Sequence, residues 1–166
     1  RRENHGGALQ GLCGAIRQLA EKFPEIAFVY PVHPNPHVQE TASQLLSDTQ
    51  NVYLTEPAAY PEFVWLMDQS CIIITDSGGV QEEAPTLGKP VLVTRDTTER
   101  PEAVSAGAAK LIGTSPQVLL QEAMLLLSSD NEYRSRQVQA NPYGDGQAST
   151  RILNLIRKLV DSRLAA

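Results

Sequence analysis

The chain has 166 residues, room for one globular domain with a real core and too few for two ordinary ones. Its 14 Lys+Arg against 19 Asp+Glu give a net charge of −5, which argues against a broad nucleic-acid surface or a basic membrane patch and leaves a local anion site open. Hydrophobic residues at 42% are globular in proportion, and no apolar run approaches the roughly 18 residues of a transmembrane helix.

The chain opens with the polar run Arg1-Arg2-Glu3-Asn4-His5-Gly6-Gly7, without Met and directly before a helical pattern, so it reads as a piece of a longer protein. Leu9, Leu12, Cys13, Ile16, Leu19, Ala20 and Phe23 follow at 3- and 4-residue steps, the apolar face of a helix that Pro24 ends. Residues 26–30 form a short continuous apolar run, as in a strand covered on both faces. Residues 31–36, with three prolines, are a stiff loop. A helix over 37–46, a strand at 52–54 and a helix over 60–67 come next; Phe63 and Trp65 of that helix read as core. Three isoleucines make 71–75 the clearest buried strand. A short helical stretch to Leu87 stops at Gly88, and 90–94 is a fourth buried strand. The charged loop 95–100 leads to Pro101 at a first helical position. A strand at 110–112, a long helix from Ser115-Pro116 through Leu127, a polar helix, a turn over 141–146 and a last amphipathic helix complete the chain. Strands alternating with helices predict an α/β domain, a doubly wound parallel sheet of Rossmann-like type, whose ligands bind at the carboxyl ends of the strands.

The strongest local signal lies at such an end: Thr75-Asp76-Ser77-Gly78-Gly79-Val80-Gln81-Glu82-Glu83-Ala84-Pro85. Glycine lets a ligand approach the backbone closely, and the free N–H groups of a helix start bind phosphate, with the Ser77 hydroxyl as a further donor. The same residues also read as a Ser N-cap and a tight turn. A carboxylate in the first turn repels a diphosphate, so Glu82 or Glu83 is better used on neutral hydroxyls such as a ribose diol, which suits a nucleotide-sugar site. After the fourth strand, Arg95 and Arg100 suit anionic oxygens; the alternative is a solvated loop with internal ion pairs. His33, held among three prolines, could meet a phosphate or move a proton, or be structural. Asp145 in the 141–146 turn reads as a cap. The two cysteines, Cys13 and Cys71, make no metal motif and no disulfide framework, and suit a reducing, cytoplasmic setting. No cofactor is implied.

Six stretches, R-R-E-N, P-V-H-P-N-P, D-S-G-G-V-Q-E-E-A-P, L-G-K-P-V-L-V, R-D-T-T-E-R-P-E and N-P-Y-G-D-G, occur in one order across nearly the whole chain. In this the sequence resembles the non-hydrolysing UDP-N-acetylglucosamine 2-epimerases. The resemblance implies that residues 1–166 are the C-terminal, UDP-binding half of a GT-B fold, in an enzyme that interconverts UDP-GlcNAc and UDP-ManNAc by eliminating UDP and adding it back. It implies that Ser77, Gly78 and Gly79 bind the diphosphate, that Glu83 holds the ribose hydroxyls, that the Phe63 backbone meets the uracil and that Arg100 lies near the phosphates or sugar. Arg1 and His33 match residues that bind a second, allosteric UDP-GlcNAc in some members. The family's acid and base carboxylates lie mostly in the N-terminal domain, so no catalytic residue is assigned here. A homodimer is implied for the whole enzyme. Two other readings are the UDP-sugar donor domain of a GT-B glycosyltransferase and a non-catalytic nucleotide-binding module.

Overall fold

Leu12, Ala15 and Leu19 line the buried side of α1 (Gly7–Lys22), the first helix of a computed structural model that describes residues 6–138 and 140–164. After it come β1 (Phe28–Pro31), α2 (Pro36–Leu46), β2 (Val52–Thr55), α3 (Tyr60–Gln69), β3 (Ile73–Thr75) and α4 (Gly78–Glu83). A 3-10 turn, Ala84–Leu87, continues α4 and ends at Gly88, whose φ of +65° is open to glycine at little cost. Then follow β4 (Val91–Val93), α5 (Pro101–Ser105), β5 (Ala109–Leu111), α6 (Pro116–Ser128), α7 (Asp130–Ser135) and α8 (Ala148–Leu164). The helix starts follow local chemistry. Asn35 caps α2 by accepting the His37 N–H at 3.0 Å, Ser115 caps α6, and both helices have proline in the first turn, where a missing N–H costs nothing.

All strand pairs are parallel, as predicted: β1 with β2, and β3 with β4 with β5. The central strand β4 is wholly buried and shows why helices sit on both faces. Leu92 points to one side, into a cluster with Leu12, Leu19, Ile112 and Leu119 under α1 and α6. Val91 and Val93 point to the other, among Met67, Ile73, Val80, Ala84 and Ala103 under α3, α4 and α5. The alternation of a fully apolar strand thus builds two cores at once.

The parallel, doubly wound α/β class holds, and three details differ from the reading above. First, the five described strands hydrogen-bond as a two-stranded and a three-stranded set. In the doubly wound order 3-2-1-4-5-6, a strand stands between the positions that β1 and β3 occupy, and none of the described residues fills that place. The two inner edges nonetheless approach the same cover: Phe28 of β1 and Ile74 of β3 both pack against the cluster under α1 and α6. Second, β1 is not covered on both faces. Phe28 and Tyr30 face α1 and α2, whereas Val29 and its in-register partner Tyr53 are 44% and 53% exposed. Third, Trp65 is 61% exposed rather than core. Phe63, Val64 and Met67 occupy the buried stripe of α3, and Trp65, two residues from Phe63, is turned about 200° away from it. The apolar side of α8, with Ile152, Leu155 and Ile156, is exposed as well. No helix among the described residues is long and apolar enough to cross a membrane.

Candidate functional site at the carboxyl ends of β3 and β4

The chain leaves β3 at Thr75 and enters α4 three residues later. The Thr75 hydroxyl accepts the Ser77 N–H at 3.0 Å, which turns the backbone into the helix. Ser77 occupies the N-cap position in an extended conformation, yet its hydroxyl makes no cap bond. The first-turn N–H groups therefore have neither a carbonyl inside the helix nor a capping side chain. Gly78 is buried, and Ser77 and Gly79 are exposed, so the turn presents its backbone to solvent at one rim.

Arg100 stands over this turn. A Cβ placed on Gly78 would lie 3.7 Å from both Arg100 Cζ and Nη2, and 3.4 Å from Glu99 Oε1. The guanidinium donates through Nε to Glu82 and has Glu99 at 3.8 Å, so two carboxylates hold it in place. Arg95 behaves differently. Its residue is 7% exposed and its Nη1 donates to Glu99 at 2.8 Å. The loop after β4 thus divides its two arginines: Arg95 is built into an internal ion pair, and Arg100 reaches the glycine turn. Of the two neighbouring acids, Glu82 is engaged by Arg100, and Glu83 is the one whose carboxylate swings back to 3.9 Å from the Gly79 Cβ position.

The segment 141–143 clamps this arrangement from outside. Asn141 donates to the Glu82 carbonyl at 3.1 Å and to the Thr86 hydroxyl. The Tyr143 hydroxyl accepts the Ala103 N–H and donates to the Arg100 carbonyl, each at 3.1 Å. Burial, with Glu102 and Glu82 nearby, holds the Tyr143 phenol above its usual range, so it stays a donor at neutral pH. Beneath the turn, the wholly buried Gln81 donates to the Ser77 carbonyl at 3.1 Å and accepts the Thr98 hydroxyl at 2.7 Å. The sequence reading passed over Gln81, Thr98, Asn141 and Tyr143. Their long-range partners lie 17 to 59 residues away, and only the clustering of amides and hydroxyls within three of the motif stretches could have marked them. Asp145 closes a turn just before α8 and does not cap its first-turn N–H groups: it accepts the Gln147 N–H at 3.1 Å and takes Arg151 by both oxygens at 2.8 and 2.6 Å.

Phe63 lies in the first turn of α3, half-buried, with its N–H bonded to the Ala59 carbonyl at 2.9 Å. Its carbonyl, with two lone pairs, is the backbone group left to meet a base. A hollow of about 170 Å³ separates this helix from α4 and is lined by Tyr60, Val64, Glu83 and Thr86 among others, so Glu83 and α3 share one depression. His33 is apart from these residues, exposed in the loop after β1. Its Nδ1 accepts the Asn35 N–H at 3.1 Å, which fixes the neutral ring as the Nε2–H tautomer with its donor pointing outward. Arg1 lies outside the described residues. Among the described residues no group of three or more His, Cys, Asp and Glu could hold a metal ion. The site thus offers backbone N–H groups, a hydroxyl, a guanidinium held between the Glu82 and Glu99 carboxylates, and the separate carboxylate of Glu83.

A family model described as UDP-N-acetylglucosamine 2-epimerase matches residues 1–157. A curated protein of that name from Escherichia coli (strain K12) is 50% identical over 157 residues, which are 95% of this chain and 42% of that protein. The crystal structure of the UDP-GlcNAc 2-epimerase from Neisseria meningitidis bound to UDP-GlcNAc matches with TM-score 0.90 and 49% identity, over 95% of this chain and 43% of that one. A co-structure of S. aureus MnaA with UDP matches with TM-score 0.91 and 43% identity, over 97% of this chain and 44% of that one. The chain thus spans well under half the length of the relatives it matches.

Proposed function

The chain belongs to the UDP-N-acetylglucosamine 2-epimerase family, and from that premise we propose that it is the UDP-binding, C-terminal part of an enzyme that interconverts UDP-GlcNAc and UDP-ManNAc. One observation carries the ligand assignment. Two stretches more than twenty residues apart meet at Gly78, where an uncapped helix start lies under the Arg100 guanidinium. Backbone N–H groups and a fixed arginine facing one gap suit a phosphate oxygen. In this reading Gly78, Gly79 and the Ser77 hydroxyl donate to the diphosphate and Arg100 balances its charge. Glu83 accepts from the ribose hydroxyls, and the Phe63 carbonyl meets the uracil N–H. The two structures of relatives with UDP-GlcNAc and with UDP support the ligand class.

The reaction breaks the sugar C1–O bond and the C2–H bond, releasing UDP and leaving a 2-acetamidoglucal. UDP oxygen then returns to C1 and a proton is delivered to the opposite face of C2. This part of the enzyme acts on the leaving group. Negative charge develops on the β-phosphate as C1–O breaks, and donors already aimed at that oxygen stabilise it without reorganising. His33, through Nε2–H, and Arg1 are proposed contacts to a phosphate of the bound or a second UDP-sugar.

Calorimetry of the chain with UDP tests the site: binding of UDP with no comparable binding of uracil alone is expected. A folded chain that takes up no UDP would refute the assignment. The reaction is tested in the longer protein in heavy water, where UDP-ManNAc carrying deuterium at C2 is expected from UDP-GlcNAc.

A further inference from the structure

Gln81 is wholly buried beneath the glycine turn. Its amide has a forced polarity. The Ser77 carbonyl can only accept, so it takes the Gln81 Nε2–H₂, at 3.1 Å. Oε1 is left to face Thr98, whose hydroxyl must then donate, at 2.7 Å. A lone pair of that hydroxyl accepts the Arg100 N–H at 3.0 Å. On its other side the Arg100 carbonyl accepts the Tyr143 hydroxyl. The Arg100 backbone is therefore held at both its polar groups, and one of these two ties runs through Gln81 to the residue that opens the glycine turn.

We propose that Gln81, acting through the Thr98 hydroxyl, is a positioning residue that fixes the gap between the Gly78–Gly79 turn and the Arg100 guanidinium, and so sets the preference of the site for a diphosphate over a monophosphate. The inference rests on the UDP reading. Its physical basis is that the Gln81 amide is wholly buried, so losing either partner leaves one of its groups unpaired, and the chain of bonds favours one geometry. Two N–H donors and a guanidinium can share the β-phosphate, the group that UMP lacks, only if their spacing is kept.

The test is calorimetry of UDP and UMP with the chain and its Thr98→Val, Thr98→Ser and Gln81→Met variants, each also combined with Arg100→Ala. Thr98→Val keeps the side-chain shape at a half-buried position and removes only the relay. It is expected to weaken UDP about fivefold and UMP by less than about twofold. Thr98→Ser, which keeps the hydroxyl, restores most of the UDP affinity. In the Arg100→Ala background Thr98→Val should cost almost nothing, since nothing remains to be positioned. Gln81→Met repeats the Thr98→Val pattern where it folds, and Thr98→Val decides alone where it does not. Equal losses for UDP and UMP, no loss for UDP, or an undiminished loss without Arg100 would each overturn the inference while leaving UDP binding intact. Absence of UDP binding by the unaltered chain would overturn the UDP reading and this inference with it.

Discussion

Gly78→Ala separates folding from binding at the proposed phosphate position. Gly78 starts α4 with a negative φ, so alanine needs no change of backbone. The added methyl stands 3.4 Å from Glu99 Oε1 and 3.7 Å from Arg100 Cζ and Nη2, which is van der Waals contact without overlap. Replacing glycine in a helical turn gains about 0.5 kcal/mol from the restricted unfolded chain. For a domain of this size that raises the melting temperature by about 1–2 °C. Binding moves the other way. A phosphate oxygen must lie about 2.9 Å from a turn nitrogen and about 2.8 Å from a guanidinium nitrogen, and the methyl occupies the space between them. Displacing the phosphate removes at least one charge-assisted hydrogen bond, worth about 2 kcal/mol, or about thirtyfold in the dissociation constant. Thermal melting and UDP calorimetry on one preparation measure both quantities. A stable Gly78→Ala chain that binds UDP as tightly as the unaltered one would show that the phosphate does not occupy this gap.

Glu83→Gln should weaken UDP by about 1–2 kcal/mol through a lost charge-assisted bond to the ribose, and should affect 2′,3′-dideoxy-UDP little; tighter UDP binding would mean that Glu83 faces the phosphates instead. Glu122 is buried on α6 and accepts Lys110 Nζ at 2.7 Å and Arg136 Nη2 at 3.1 Å. Burial pushes its carboxyl up, but the bonds and charges of Lys110 and Arg136 outweigh that and leave it below the ordinary value of 4.5. A lowered folded value means that its stabilisation is complete above pH 4.5 and drains away as pH falls through the folded value. Denaturant melts should therefore show Glu122→Gln less stable at pH 7 by about 1–3 kcal/mol, with the gap narrowing toward pH 3; a constant gap would refute the ion-pair assignment. Finally, Cys71 is exposed while burial pushes the Cys13 thiol up to about 11. A thiol reagent at pH 8 should modify one cysteine quickly and the second only on unfolding, and two fast thiols would contradict the α1–α2 packing.

Short-range signals were readable because their physics is short-range. Pro101 and Pro116 mark helix starts, Gly88 a left-handed stop, and the glycines after three isoleucines a strand-to-helix turn. The six motif stretches led to the family and to the residues of the proposed site. What escaped was decided between distant residues. Which of Glu82 and Glu83 faces Arg100 depends on where a loop 18 residues after Glu82 returns. The buried state of Arg95 depends on Glu99 turning toward it, a choice made by the whole loop. Trp65 was misread because an aromatic between Phe63 and Met67 looks apolar in composition while helical rotation turns it outward. The division of the strands was invisible because β1 and β3, which border it, read as apolar runs just as β4 does, which has a neighbour on each side.

The parallel strands also decide which loops a ligand can meet. Ser77, Gly78, Glu83 and Arg100 all follow or flank strands of the β3–β4–β5 set, and His33 follows β1, which pairs with β2. A molecule held by the first group alone draws on one set of strands. One that also reaches the His33 Nε2–H ties loops of both sets to a single rigid body, so its binding would order residues that its nucleotide end never touches.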